Sequence, residues 1–182
     1  MSKALVLIDL QNDYFPGGSM ELVGAYAAVR QAAVLLEAFR RRSLPVIHVQ
    51  HIANRAGATF FVPDTTGAEI HAAVLPDAAE RVIVKHFPSA FRATELQAML
   101  REQDISKIVF AGMMTHMCVD TTVRAAADLG FECTLAHDAC ATRDLRFESE
   151  TVSASDVQTA YLAALNGSFA SVRSAAQVAA QP

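Results

Sequence analysis

Tryptophan is absent from the 182 residues, and cysteine is held to three. Cys118, Cys133 and Cys140 form an odd set with no C-x-x-C pair, which excludes a disulfide framework and leads us to expect a reduced, cytoplasmic protein. No G-x-G-x-x-G or G-x-x-x-x-G-K-[ST] loop occurs, so dinucleotide and P-loop nucleotide chemistry are excluded. No run of about 18 apolar residues is available to span a bilayer, and because Met1-Ser2-Lys3 leads straight into an apolar run, no signal peptide is expected. Positive charge is not in excess: 15 Lys and Arg stand against 19 Asp and Glu, a formal net charge of −4. The electrostatic footprint of a nucleic-acid partner is therefore missing. The single basic run, Arg40-Arg41-Arg42, closes a helical pattern, where cations suit the helix dipole and are expected to be solvated.

Apolar residues, by contrast, are plentiful: 52% of the chain is hydrophobic and 19% charged. A chain of this length supports one sizeable core, so residues 1–182 are expected to form a single domain, with surplus apolar surface covered in a homo-oligomer such as a dimer or tetramer. Ala4-Leu5-Val6-Leu7-Ile8 is a continuous apolar run of the kind that suits a parallel strand covered on both faces. Val46 to Gln50, Arg81 to Val84, Lys107 to Ala111, Phe131 to Ala136 and Phe169 to Val172 read as further strands. Between them, helical spacing predicts helices over residues 25–42, from Thr94 to Arg101, after Cys118, from Ser149 to Leu165 and over 174–180. The alternation predicts an α/β fold, a three-layer α/β/α sandwich around a parallel sheet. Residues 52–68 are irregular, and Phe60 and Phe61 there either wall a pocket or pin the loop to the core.

Chemistry concentrates at the strand ends. The stretch Gly112-Met113-Met114-Thr115-His116-Met117-Cys118 follows a strand and opens a helix, an arrangement that lifts a nucleophile to the sheet edge. The helix start is expected to lower the thiol pKa there and to offer N–H donors to an oxyanion. Asp9 ends the first strand and Lys85 the third. Buried lysine requires a carboxylate partner, and parallel strands deliver their carboxyl ends to one edge, so Asp9, Lys85 and Cys118 are expected to converge.

These motifs resemble the isochorismatase-like cysteine hydrolases. The resemblance rests on Val6-Leu7-Ile8-Asp9-Leu10-Gln11-Asn12-Asp13-Tyr14-Phe15, on Lys85 with Ser89-Ala90-Phe91, and on Gly112 to Val119 with Thr122 beyond. It implies a six-stranded parallel sheet, homo-oligomers and an Asp9-Lys85-Cys118 triad. It also implies a non-proline cis bond at Met114-Thr115, with backbone donors at Thr115 and Cys118 for the oxyanion. The implied activity is hydrolysis of an amide, ureido or carbamoyl bond of a small molecule through a Cys118 acyl-enzyme, without a cofactor. Phe15, Phe60, Phe91, Met114 and His116 are the expected pocket walls. The metal-binding members carry Asp-x-His after the second strand. Here that region reads His48-Val49-Gln50-His51, so no catalytic metal is expected, and His51 is expected to be a hydrogen-bonded polar residue. Three alternatives stand beside this reading: an isochorismatase-type hydrolase, a non-catalytic small-ligand binder of the same fold, and a thiol redox protein using Cys118 and Cys140.

Overall fold

The computed structural model describes residues 2–180. Strand β1 (Ser2–Ile8) lies at the middle of a six-stranded sheet of order β3-β2-β1-β4-β5-β8, parallel throughout. The other strands are β2 (Val46–His51), β3 (Arg81–Lys85), β4 (Ile105–Met113), β5 (Glu132–Ala141) and β8 (Ser171–Arg173). Side chains alternate across β1. Leu5 and Leu7 join the core beneath α1 (Ala25–Arg41) and α5 (Ala175–Ala180). Ala4, Val6 and Ile8 face the opposite core with α2 (Leu96–Glu102), α3 (Asp120–Asp128) and the end of α4 (Ala154–Leu165). The expected three-layer α/β/α architecture is therefore present, with both faces of the sheet buried.

Helix α1 buries Ala28, Ala32, Leu35, Leu36 and Phe39, the stripe its spacing predicts. Its basic end is not simply solvated. Arg40 makes two hydrogen bonds to Glu80 (2.7 and 2.8 Å) and one to the Leu75 carbonyl (2.8 Å), while Arg41 pairs with Glu37. Glu80 also meets the buried His48 at 2.8 Å, so Arg40 ties the helix to the loop entering β3.

Two elements differ from the pattern. The segment expected to begin a helix at Ser149 forms a hairpin, β6 (Leu145–Phe147) with β7 (Glu150–Val152), turning through Glu148 at φ 52°. Helix α4 starts only at Ala154, because Ser153 is its cap and accepts from the Asp156 N–H at 3.2 Å. Ser153-x-x-Asp156 is a start signal that Ser149 lacks. The non-proline cis bond is Met113-Met114, one bond earlier than expected.

Strand β1 divides the sheet order. The strands before β4 in sequence lie to one side of it and the later ones to the other, so the crevice between the carboxyl ends of β1 and β4 is where open α/β sheets place ligands. Gly112 pairs with Ile8 there, at φ 145°, and an added Cβ would lie 2.0 Å from the Ile8 carbonyl oxygen. Gly112→Ala is therefore expected to force β1 and β4 apart; overpacking of about 1–3 kcal/mol converts at this chain length to a melting-temperature drop of roughly 2–12 °C, measured by thermal denaturation.

The Glu80 cluster yields a pH prediction. Burial alone would raise the Glu80 pKa, but Arg40, the Asp77 N–H and His48 overcome it and hold the carboxyl down to about 2. A depressed carboxylate contributes stability above its unfolded pKa of about 4.3, and that stability is lost as pH falls toward the folded value. Glu80→Gln should therefore flatten the acid limb of stability between about pH 4.3 and 2, read by urea denaturation at a series of pH values.

Candidate active site

Asp9 follows β1 directly, its backbone in the left-handed region at φ 50° and its N–H donating to the Val49 carbonyl at 2.9 Å. Lys85 ends β3, two strands away, and β2 lies between with His51 at its end. Cys118 comes from the other side. After β4 the chain makes one π-type turn, Thr115–Val119, before α3 begins, and such turns recur at functional sites. The Met114 carbonyl accepts from the Met117 and Val119 N–H groups at 3.0 and 3.2 Å, and the Cys118 N–H is not part of that pair.

The three expected side chains meet. Lys85 Nζ lies 2.8 Å from Asp9 Oδ2 and 3.3 Å from Cys118 Sγ. It also lies 2.9 Å from His51 Nδ1 and donates to the Phe87 carbonyl at 3.0 Å. Asp9 and Lys85 are both fully buried. Although Asp9 is ion-paired, neither of its oxygens has a well-aligned hydrogen bond among the described residues, which leaves acceptor capacity beside the thiol.

The electrostatics correct one expectation. The helix start was expected to depress the Cys118 pKa, but burial, followed by the Asp9 carboxylate, pushes the thiol well above its usual range, and Lys85 only partly offsets them. The sulfur therefore rests as a thiol beside an ion pair. For Lys85, burial acts to lower the pKa, and Asp9 and Cys118 more than reverse it, so the ammonium is held charged. Tyr14, buried behind the site, is raised by burial and then by Cys118 and Asp9.

A cavity of about 410 Å³ opens beside these groups, with His51, Phe60, Met114, Met117 and Arg143 in its lining. Of the expected walls, Phe60 and Met114 are there. Phe15 instead packs on Tyr26 and stacks on His71 at 4.0 Å. Phe91 lies against Phe131, and His116 meets Thr142 Oγ1 at 2.6 Å beside Tyr161. Thr115 is fully buried and its hydroxyl donates to Gln158 Oε1 at 2.7 Å, tying the turn to α4. Phe61 pins its loop: its N–H donates to Asp13 Oδ2 at 2.6 Å and its ring packs edge-on against Tyr14.

Sequence reading did not place His51 in the site. The signal for it was its position, the last residue of a strand next to β1 and therefore at the same sheet edge. Gln11 fixes it from both sides, donating to the His51 carbonyl and accepting from the His51 N–H, each at 2.8 Å. Met20, Asn54 and Arg143 also line the cavity, and no local pattern marks them. Asp9, His51 and Cys118 bring potential ligand atoms within 4.8 Å of one another. The Lys85 ammonium touches all three side chains, so the place a divalent cation would take is filled by positive charge. The cysteines are free thiols, and Cys140 donates to the Ala136 carbonyl.

The isochorismatase domain family matches residues 3–177. The chain is 48% identical over 173 residues to the uncharacterized isochorismatase family protein YddQ of Bacillus subtilis, covering 95% of this chain and 96% of that one. It is 33% identical over 142 residues to maleamate amidohydrolase of Pseudomonas putida, covering 70% and 67% respectively. In three dimensions it superposes on an isochorismatase-family hydrolase from Oleispira antarctica with a TM-score of 0.95, at 47% identity and with 99% and 97% of the two chains covered. With the family match running from β1 into α5 and a relative sharing nearly its full length, the chain belongs to the isochorismatase family of hydrolases.

Proposed function

We propose that this protein is a cysteine-dependent amidohydrolase that cleaves a C–N amide, ureido or carbamoyl bond of a small molecule. The observation that supports this most is the contact of Lys85 Nζ with both Asp9 Oδ2 (2.8 Å) and Cys118 Sγ (3.3 Å) at the edge of a small cavity. The similarity to maleamate amidohydrolase points the same way.

The raised thiol pKa determines how the first step runs. A preformed thiolate is disfavoured, so Cys118 gives its proton to Asp9 as sulfur adds to the carbonyl carbon. Lys85 holds the carboxylate in reach and keeps a positive charge beside the sulfur as negative charge develops. The electron pair displaced from the carbonyl bond moves to oxygen, for which the backbone N–H groups of Thr115 and Cys118 are the proposed donors. Protonated Asp9 then gives its proton to the departing nitrogen, the C–N bond breaks, and a thioester remains on Cys118. In the second half Asp9 takes a proton from water, the resulting hydroxide displaces the sulfur, and the proton returns to Cys118 as the acid leaves. Water in and amine plus acid out balance, and the triad is restored.

Removing Lys85 would leave Asp9 buried without its counter-charge, at a cost of about 3–5 kcal/mol, so loss of activity in such a variant would not separate chemistry from folding. Cys118→Ala leaves the ion pair untouched and gives the cleaner test. We expect ammonia release from a panel of acetamide, succinamate and N-carbamoylglycine, assayed with EDTA present, to fall about a thousandfold or more in Cys118→Ala, with circular dichroism unchanged. A Cys118→Ala enzyme retaining the wild-type rate would contradict the proposal.

A further inference from the structure

His51 is the group of this site that the triad scheme leaves without a task. Its ring nitrogen Nδ1 lies 2.9 Å from Lys85 Nζ. An ammonium has hydrogens to give and no lone pair to offer, so in that contact Nδ1 is the acceptor and the ring proton must sit on Nε2. A protonated imidazole is disfavoured by the same geometry. Burial, then Lys85, hold the His51 pKa down to about 4, and His86 acts in the same direction against the opposing pull of Asp9. Nε2 has no hydrogen-bond partner among the described residues and is not among the sealed polar atoms, and the ring is part of the cavity lining. Gln11 fixes the backbone on both sides of the ring, and Phe61 lies against it at 5.6 Å between centroids, so the orientation is held from outside the triad.

We propose that His51 is a two-sided residue of the reaction site: Nδ1 accepts from the Lys85 ammonium and positions it, while Nε2–H is a donor presented to an oxygen of the bound substrate. Which oxygen is held rests on the amidohydrolase reading; the tautomer does not. A neutral donor suits this place because a second cation would compete with Lys85 for Asp9, whereas an N–H fixed by its other nitrogen keeps its direction without adding charge.

Two isosteric substitutions separate the two sides. In His51→Asn the side-chain oxygen reaches the Nδ1 position and keeps the Lys85 contact, but the cavity donor is lost. With whichever amide of the panel the wild type hydrolyses fastest, KM should rise roughly tenfold, the size of one lost hydrogen bond, while kcat changes little. In His51→Gln the amide nitrogen reaches the Nε2 position and keeps the donor, but the Lys85 acceptor is lost. KM should stay near wild type while kcat falls and its pH profile shifts. Equal changes in both variants, or KM within twofold of wild type in His51→Asn, would overturn the proposal. Nitrogen-15 NMR of histidine-labelled protein reads the tautomer directly and without turnover. The expected His51 pattern is protonated Nε2 and bare Nδ1 from about pH 5.5 upward, well above the depressed pKa; an Nδ1–H tautomer or an imidazolium there would overturn the proposal even if no amide of the panel were hydrolysed.

Discussion

The buried ion pair between Asp9 and Lys85 is the constraint on which the rest of the site depends. Both side chains are withdrawn from water, and their 2.8 Å contact crosses the sheet from the end of β1 to the end of β3. Neither charge could be held there alone, since an unpaired ion in an apolar interior is unaffordable to a fold of ordinary stability. The parallel order makes the pairing possible by bringing successive strand ends to one edge, and β2 sets the spacing. Asp9 turns out of the strand with a positive φ, so the carboxylate leaves the sheet where Cys118 arrives from the other side.

With the pair in place, the surrounding chemistry follows from its charges. Burial and then the Asp9 carboxylate keep Cys118 protonated, while Asp9 and Cys118 keep the Lys85 ammonium charged against the effect of its own burial. His51 completes the shell around the ammonium, and Asp13 and Gln11 anchor the loop and strand end that close the cavity. The end of the sheet away from the site has an ionic clasp of its own, in which Arg40, Glu80 and His48 join α1 to β2 and to the approach to β3.

Much of this was legible in the chain. Apolar runs gave the strands, the residue after the first and third runs gave Asp9 and Lys85, and the strand-to-helix turn after the fourth gave Cys118, because the carboxyl ends of parallel strands share an edge whatever the loops do. Features that depend on the paths of loops were not legible. Phe15 and Phe91 are aromatics near strand ends, as Phe60 is, yet only Phe60 reaches the cavity, because Asp13 and Phe61 fix the course of residues 52–68. The hairpin at Leu145–Val152 was missed because Ser149 and Ser153 are both plausible caps, and only the latter has an aspartate three residues on. The direction of the Cys118 pKa shift was also hidden. A helix start can be seen in a sequence, whereas the depth to which the thiol is buried beside a carboxylate is a property of the packed molecule.

The most direct test of a covalent role for Cys118 is rapid-quench mass spectrometry of the protein during turnover of an amide. Acid quench within the first turnovers should trap a thioester, and the peptide carrying Cys118 should gain the mass of the acyl group less one hydrogen, with Cys133 and Cys140 unmodified. Turnover without any adduct under conditions that trap thioesters, or an adduct on a residue other than Cys118, would contradict the Asp9-Lys85-Cys118 mechanism.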